Sequence, residues 1–203
     1  MRNEFVHVID DDEAARESLA FLLESADMPN RTYASAELFL AALPDVKSGC
    51  VVTDVRMPGM SGLDLLGRLI QAKSALPVIV ITGHGDVPLA VEAMKLGAVD
   101  FIEKPFDDEL ILTSIRAALS REQGGDQRET ERADAAERIA RLSGRENDVL
   151  EGLVAGTPNK VIAFDLRISP RTVDVYRANV MTKMEASSLS ELVRLTLLAT
   201  GFK

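Results

Sequence analysis

The chain has 203 residues, 23 Lys/Arg against 32 Asp/Glu for a net charge of −9, 4% aromatic residues, and one cysteine. That length suits two small domains, and no apolar run of ~18 residues offers a membrane span. A lone cysteine forms no internal disulfide, so a reducing, cytoplasmic setting is expected.

From residue 4 to about 119, strand-like and helix-like patterns alternate. Phe5-Val6-His7-Val8-Ile9 is a short apolar run that ends in acid, too short and too soon interrupted for a signal peptide. Residues 13–26 carry helical spacing through Ala15, Leu19, Leu22 and Leu23. A weak strand at 31–34 and a short helix at 36–43 follow. Val51-Val52-Thr53 is β-branched and precedes Asp54; a Pro58-Gly59 turn leads to a helix over 62–71. Pro77-Val78-Ile79-Val80-Ile81-Thr82 reads as a strand buried on both faces. The helix over 87–96 has Pro88 in its first turn and Gly97 as its stop. Val99–Ile102 is the fifth strand and 107–119 the fifth helix. Five strand–helix alternations predict a doubly wound α/β domain, a five-stranded parallel sheet with helices on both faces, over residues 1–120.

Residues 121–141 read as a linker: Ser120–Gln127 is polar and glycine-bearing, and Arg128–Arg141 alternates in charge like an exposed helix joining the domains. Residues 142–203 show no strand pattern. Helices are expected at 144–155, 159–166, 170–184 and 188–199, a compact all-α four-helix domain. The charge is uneven: residues 1–121 hold 11 basic against 19 acidic residues, and residues 142–203 hold 8 against 7. That is a weak electrostatic footprint for DNA.

In an open parallel sheet, the carboxyl ends of the strands form the active crevice. Here those ends carry Asp10-Asp11-Asp12, Asp54, Thr82 and, after the fifth strand, Lys104-Pro105. Clustered carboxylates stay ionised beside a cation, and Mg²⁺ suits them because it takes few carboxylates and bridges to phosphate oxygens. An ionised aspartate can attack phosphorus; a lysine and a hydroxyl can hold the transferred oxygens. The bland alternatives are that Asp10–Asp12 only cap the helix at Glu13 and that Thr82 and Lys104 are ordinary strand-end residues.

The segments Val8–Asp12, Thr53–Gly62, Ile81-Thr82-Gly83 and Phe101–Phe106 resemble the receiver domain of bacterial response regulators, in its order and spacing. The resemblance implies a CheY-like fold with Asp54 as phosphoacceptor. It places Mg²⁺ among Asp10, Asp11, Asp54 and the backbone carbonyl of Arg56. It gives Thr82, Lys104 and Phe101 phosphoryl-stabilising and switch roles, and it makes the Lys104-Pro105 bond cis. Gly83 stands where the family commonly has Ala, and Phe101 where it often has Tyr.

Leu142-Ser143-Gly144-Arg145-Glu146, Val149–Gly156, Asn159–Ala163, Ile168–Val173, Tyr176, Asn179-Val180 and Lys183-Met184 resemble the LuxR-type helix-turn-helix domain. Val173, Tyr176, Val180 and Met184 share one helix face by spacing. The opposite face, with Arg171, Asp174, Val175, Ala178 and Arg177, is expected in the major groove of double-stranded promoter DNA. Asn159, Lys160, Thr172 and Lys183 suit phosphate contacts. Pro158, Asp174 and Tyr176 depart from the usual Ser/Thr, Lys and His; Asp174 repels phosphates but can accept from a cytosine amino group.

Within response regulators, Thr82–Pro88 and Ala93–Phe101 are most similar to the FixJ group. That resemblance implies a transcriptional activator of nitrogen-fixation genes under low oxygen, phosphorylated by a FixL-like sensor histidine kinase, acting as a homodimer with RNA polymerase as partner. The expected switching face of the fourth helix, fifth strand and fifth helix includes Val91, Lys95, Ile111 and Ile115. Two other functional classes make different demands on the sequence. An aspartyl-nucleophile phosphatase would carry a second acid two residues after the nucleophile, where this chain has Arg56. A receiver acting only as a protein adaptor would need no helix-turn-helix.

Overall fold

The computed structural model describes residues 4–83, 87–120 and 125–200. His84, Gly85 and Asp86 of the FixJ-group signature, and Arg121–Gly124 of the expected linker, lie outside the described residues. The chain divides into two compact units.

The first unit is built on β1 (Phe5–Ile9), β2 (Asn30–Tyr33), β3 (Gly49–Asp54), β4 (Val78–Thr82) and β5 (Asp100–Glu103). They form one all-parallel sheet in the order β2-β1-β3-β4-β5. Its helices are α1 (Glu13–Ser25), α2 (Ala36–Ala42), α3 (Gly62–Gln71) and α5 (Asp108–Ser120); α4 (Val87–Lys95) lies between β4 and β5 in the chain. A short 3-10 turn at Leu43–Asp45 follows α2.

The two-residue period of the strands sorts the sheet's faces. Val6, Val8, Cys50, Val52, Ile79, Ile81 and Ile102 join Leu19 and Leu23 of α1 and Ile111, Leu112, Ile115 and Ala118 of α5 in one core. The other parity carries His7 against Tyr33 and Phe39 of α2, with ring centroids 5.9 and 5.4 Å away. Ile111 and Ile115 are fully buried. This corrects their expected place on a switching face: the exposed residues of α5 include Leu110, Thr113, Arg116 and Ala117. Val91 is also buried, while Lys95 is exposed.

The second unit contains α6 (Gly125–Ala140), α7 (Gly144–Val154), α8 (Asn159–Leu166), α9 (Pro170–Met184) and α10 (Leu189–Thr200). Val149, Leu150 and Leu153 of α7, Ile162 of α8, Val173, Val180 and Met184 of α9, and Leu192 and Leu195 of α10 form its core. Tyr176 packs at the edge of that core, as the spacing predicts. Helix α9 starts at Pro170 behind Ser169, whose hydroxyl accepts from the Thr172 amide.

Helix α6 is not simply exposed. Ala135 is fully buried in the same core, and Ile139 and Leu142 pack against it. Arg138 donates to the Met184 carbonyl at 3.0 Å and pairs with Glu185 at 3.0 Å. The alternating charges therefore cover a helix with one buried seam. No helix among the described residues is long and apolar enough to cross a membrane.

Candidate functional site

The sheet register brings the expected residues to one end. Ile9 pairs with Thr53, Asp54 with Ile81, and Thr82 with Glu103. Asp10, Asp54, Thr82 and Lys104 thus stand at the carboxyl ends of neighbouring strands. The Lys104 amide donates to the Thr82 carbonyl at 2.7 Å, and the Lys104-Pro105 bond is cis.

Two carboxylates share one ammonium. Lys104 Nζ lies 2.8 Å from Asp10 Oδ2 and 2.9 Å from Asp54 Oδ1. Asp10 and Asp54 are buried, at 7% and 8% exposure, so these charges act with little screening. Burial alone would lower the Lys104 pKa, but hydrogen bonds and charge from Asp10 and Asp54 outweigh it and hold the ammonium above its ordinary range. The Arg56 amide donates to Asp54 Oδ2 at 2.6 Å, and the Asp12 amide to Asp10 Oδ1 at 2.9 Å. Arg16 of α1 donates to the Asp10 carbonyl at 2.7 Å.

The acidic run divides its work. Asp12 caps α1, accepting from the Ala15 amide at 3.0 Å, while Asp10 enters the cluster. Asp11 is exposed. Among the described residues, no three His, Cys, Asp or Glu side chains gather as a metal-ligating group. Two carboxylates against one ammonium still leave a net negative charge. Hard oxygens with that charge suit a divalent cation that keeps most of its waters.

Thr82 is fully buried and Phe101 nearly so. Gly62 opens α3 where the chain folds back on the site: a Cβ there would sit 2.1 Å from the Asp54 carbonyl oxygen. Its amide donates to the Val55 carbonyl, and Ser61 and Asp64 close a capping box over the turn. The glycine lets the Asp54 loop lie against the helix start.

On the second unit, Arg171, Asp174, Val175, Ala178 and Lys183 of α9 are exposed, as is Lys160 of α8. Thr172 and Arg177 are half-buried. Asn159, Thr172, Asp174 and Lys183, all expected to face DNA, already have protein partners. Asn159 Nδ2 donates to Asp174 Oδ1 at 2.9 Å, and Lys183 Nζ lies 2.7 Å from Glu146 Oε2.

Glu146 was not singled out from the sequence, although Ser143-Gly144-Arg145-Glu146 has the spacing of a capping box. It is buried, and it accepts from both the Ser143 amide and hydroxyl. The Lys183 hydrogen bond, then those from Ser143, hold its pKa down to about 2. A depressed carboxyl stabilises the fold above its unfolded pKa, near 4.5, and that contribution fades as pH falls towards about 2. Acid unfolding followed on the second unit's helices should therefore lose part of its slope between those values in Glu146→Gln. An unchanged slope would mean the Lys183 pair is not formed in solution.

A model described as the response regulator receiver domain matches residues 6–116, and one described as bacterial regulatory proteins of the luxR family matches residues 140–196. The chain is 61% identical over 194 residues to the transcriptional regulatory protein FixJ of Azorhizobium caulinodans, covering 96% of this chain and 92% of that protein. It is 54% identical to that of Rhizobium meliloti, covering 97% and 96%. The crystal structure of full-length FixJ from B. japonicum superposes with a TM-score of 0.58 at 54% identity, covering 98% of each chain.

Proposed function

Because the chain belongs to the FixJ-like response regulators, transcriptional regulators that join a receiver to a LuxR-type DNA-binding domain, we propose that a phosphoryl group on Asp54 switches its binding to promoter DNA. The observation that carries this reading is the shared ammonium: Lys104 contacts both Asp10 and Asp54 at the open end of the sheet. We assign residues 1–120 to the receiver, 121–141 to the linker and 142–203 to the DNA-binding domain, a reading supported by family matches over residues 6–116 and 140–196.

The donor is a phosphohistidine on a sensor histidine kinase, of the FixL type on the strength of the FixJ likeness. An Asp54 oxygen attacks phosphorus, the phosphorus–nitrogen bond breaks, and an acyl phosphate forms as the imidazole takes a proton. Asp10, Asp11, Asp54 and the Arg56 carbonyl would hold Mg²⁺, which supplies charge neutralisation to the phosphoryl oxygens. Lys104 keeps its ammonium charged and presents it to the same oxygens. The Thr82 hydroxyl moves to the phosphoryl group, and Phe101, buried opposite Val80 of the same strand as Thr82, repacks. Phe101 has no hydroxyl, so this step rests on packing alone.

The chain is a switch protein that assists only its own phosphorylation and dephosphorylation. In the cytoplasm the phosphorylated form pairs as a homodimer, binds a two-fold promoter site through α9, and works with RNA polymerase to activate nitrogen-fixation genes when oxygen is low. Dimerisation roughly doubles the phosphate contacts of a domain whose own net charge is small. Size-exclusion chromatography with light scattering tests this, with and without a phosphodonor and Mg²⁺. Wild type should move from monomer to dimer and Asp54→Asn should not. A dimer formed equally by both would refute Asp54 as its trigger.

A further inference from the structure

An acid on a surface that approaches a polyanion needs a reason. Asp174 is exposed on α9 on the same stripe as Arg171, Val175 and Ala178, the stripe opposite Val173, Val180 and Met184 of the core. Beside a phosphate its charge is unfavourable. The structure also spends another polar group on it. Asn159, at the first position of α8, donates its side-chain amide to Asp174 Oδ1 at 2.9 Å. A free surface carboxylate samples several rotamers; this one is held to the start of α8, and among the described residues Oδ2 takes no hydrogen bond.

From this juxtaposition we infer that Asp174 is a base-reading residue selective for cytosine, and that Asn159 positions it rather than gripping a phosphate. The inference rests on the DNA-binding reading above and deepens it. In the major groove, cytosine presents its amino group as a donor. Guanine and thymine present acceptors that repel a carboxylate, and the adenine amino group lies beside the N7 acceptor. A fixed carboxylate with one free oxygen is therefore complementary to cytosine and opposed to the others. The same group penalises non-specific contact with phosphates, so it raises the ratio of specific to non-specific binding. Val175, the next residue, is 55% exposed and offers apolar surface to a neighbouring thymine methyl.

Selection from a randomised duplex pool tests this, using the full chain treated with a phosphodonor and Mg²⁺ at fixed salt. Affinities for single-base variants of the selected site are then measured. Wild type should show one position in each half-site where replacing C·G weakens binding about tenfold or more. Asp174→Ala should lose the preference at that position alone and bind unrelated DNA more tightly. In Asp174→Asn, Asn159 still holds the side-chain oxygen, so an NH₂ faces the groove and the preference should shift to bases that offer an acceptor. Asn159→Ala should still select cytosine, with a smaller ratio. Both residues lie at the surface, and equal thermal melting of the variants would separate these effects from unfolding. An identical base profile in wild type and Asp174→Ala would overturn the inference. Wild type that enriches no sequence would overturn it together with the DNA-binding reading.

Discussion

Lys104→Met should fold less stably and take up phosphoryl groups at least about 100-fold more slowly than wild type. The rate effect follows from removing one fixed donor to the transferred oxygens, a loss of roughly 10²–10³ in comparable sites. The stability effect follows from the site's charges. Lys104 lies within 2.9 Å of both carboxylates, whose side chains are only 10% exposed. Methionine fills a similar volume but leaves two aspartates facing each other without that ammonium. Removing one partner from a buried ion pair costs about 3–5 kcal/mol. Lys104 is itself 29% exposed, so water screens part of this, and about 2–3 kcal/mol is expected at neutral pH. The alkaline end gives a second check. The wild-type ammonium titrates above its ordinary range, so its contribution is complete below that range and fades as pH rises through the raised value. Urea unfolding across pH and the rate of mass gain from a phosphodonor measure the two effects. Wild-type phosphorylation rates in Lys104→Met would remove Lys104 from the chemistry.

The sheet was legible in the sequence because its strands are short, β-branched and punctuated. Val78–Thr82 has a continuous apolar run and appears in the structure almost as read. The start of β3 was harder: Gly49 and Cys50 carry no β-branched signal, yet every residue from Gly49 to Asp54 is buried. The strand-end cluster was legible because parallel topology alone brings residues 10, 54, 82 and 104 to one end of the sheet. How Asp10–Asp12 divide their roles was not, since that depends on where α1 begins in space. On α5, Ile111, Leu112, Ile115 and Ala118 form a core stripe by helical spacing, a sequence pattern that already places Ile111 and Ile115 in the core. Helix α6 hid its buried seam because the contact is made by a small residue, Ala135, among charges. Pairs such as Asn159–Asp174 and Glu146–Lys183 depend on the packing of α8 and α7 against α9, which no local pattern encodes.

Asp54→Asn should keep the fold and lose the switch. The substitution removes one of two acids sharing an ammonium, leaving Lys104 paired with Asp10 alone. Asparagine can still accept from the Arg56 amide, so the β3–α3 turn keeps its hydrogen bond. Melting should therefore be unchanged or slightly raised, because a carboxylate held against another carboxylate is no longer required. Without the nucleophilic oxygen pair of a carboxylate, no acyl phosphate forms. The fold and the DNA-binding helices remain, so any change in DNA affinity reports on the switch itself.

The most direct measurement is an anisotropy titration of a duplex selected by the phosphodonor-treated wild-type chain. It compares wild type and Asp54→Asn, each with and without phosphodonor and Mg²⁺, at one salt concentration. Wild type should bind at least about tenfold more tightly after treatment, as expected when a second subunit adds its phosphate contacts, while Asp54→Asn stays at the untreated level. Equal tightening in both proteins, or none in a wild type shown by mass to carry the phosphoryl group, would contradict control of DNA binding through Asp54.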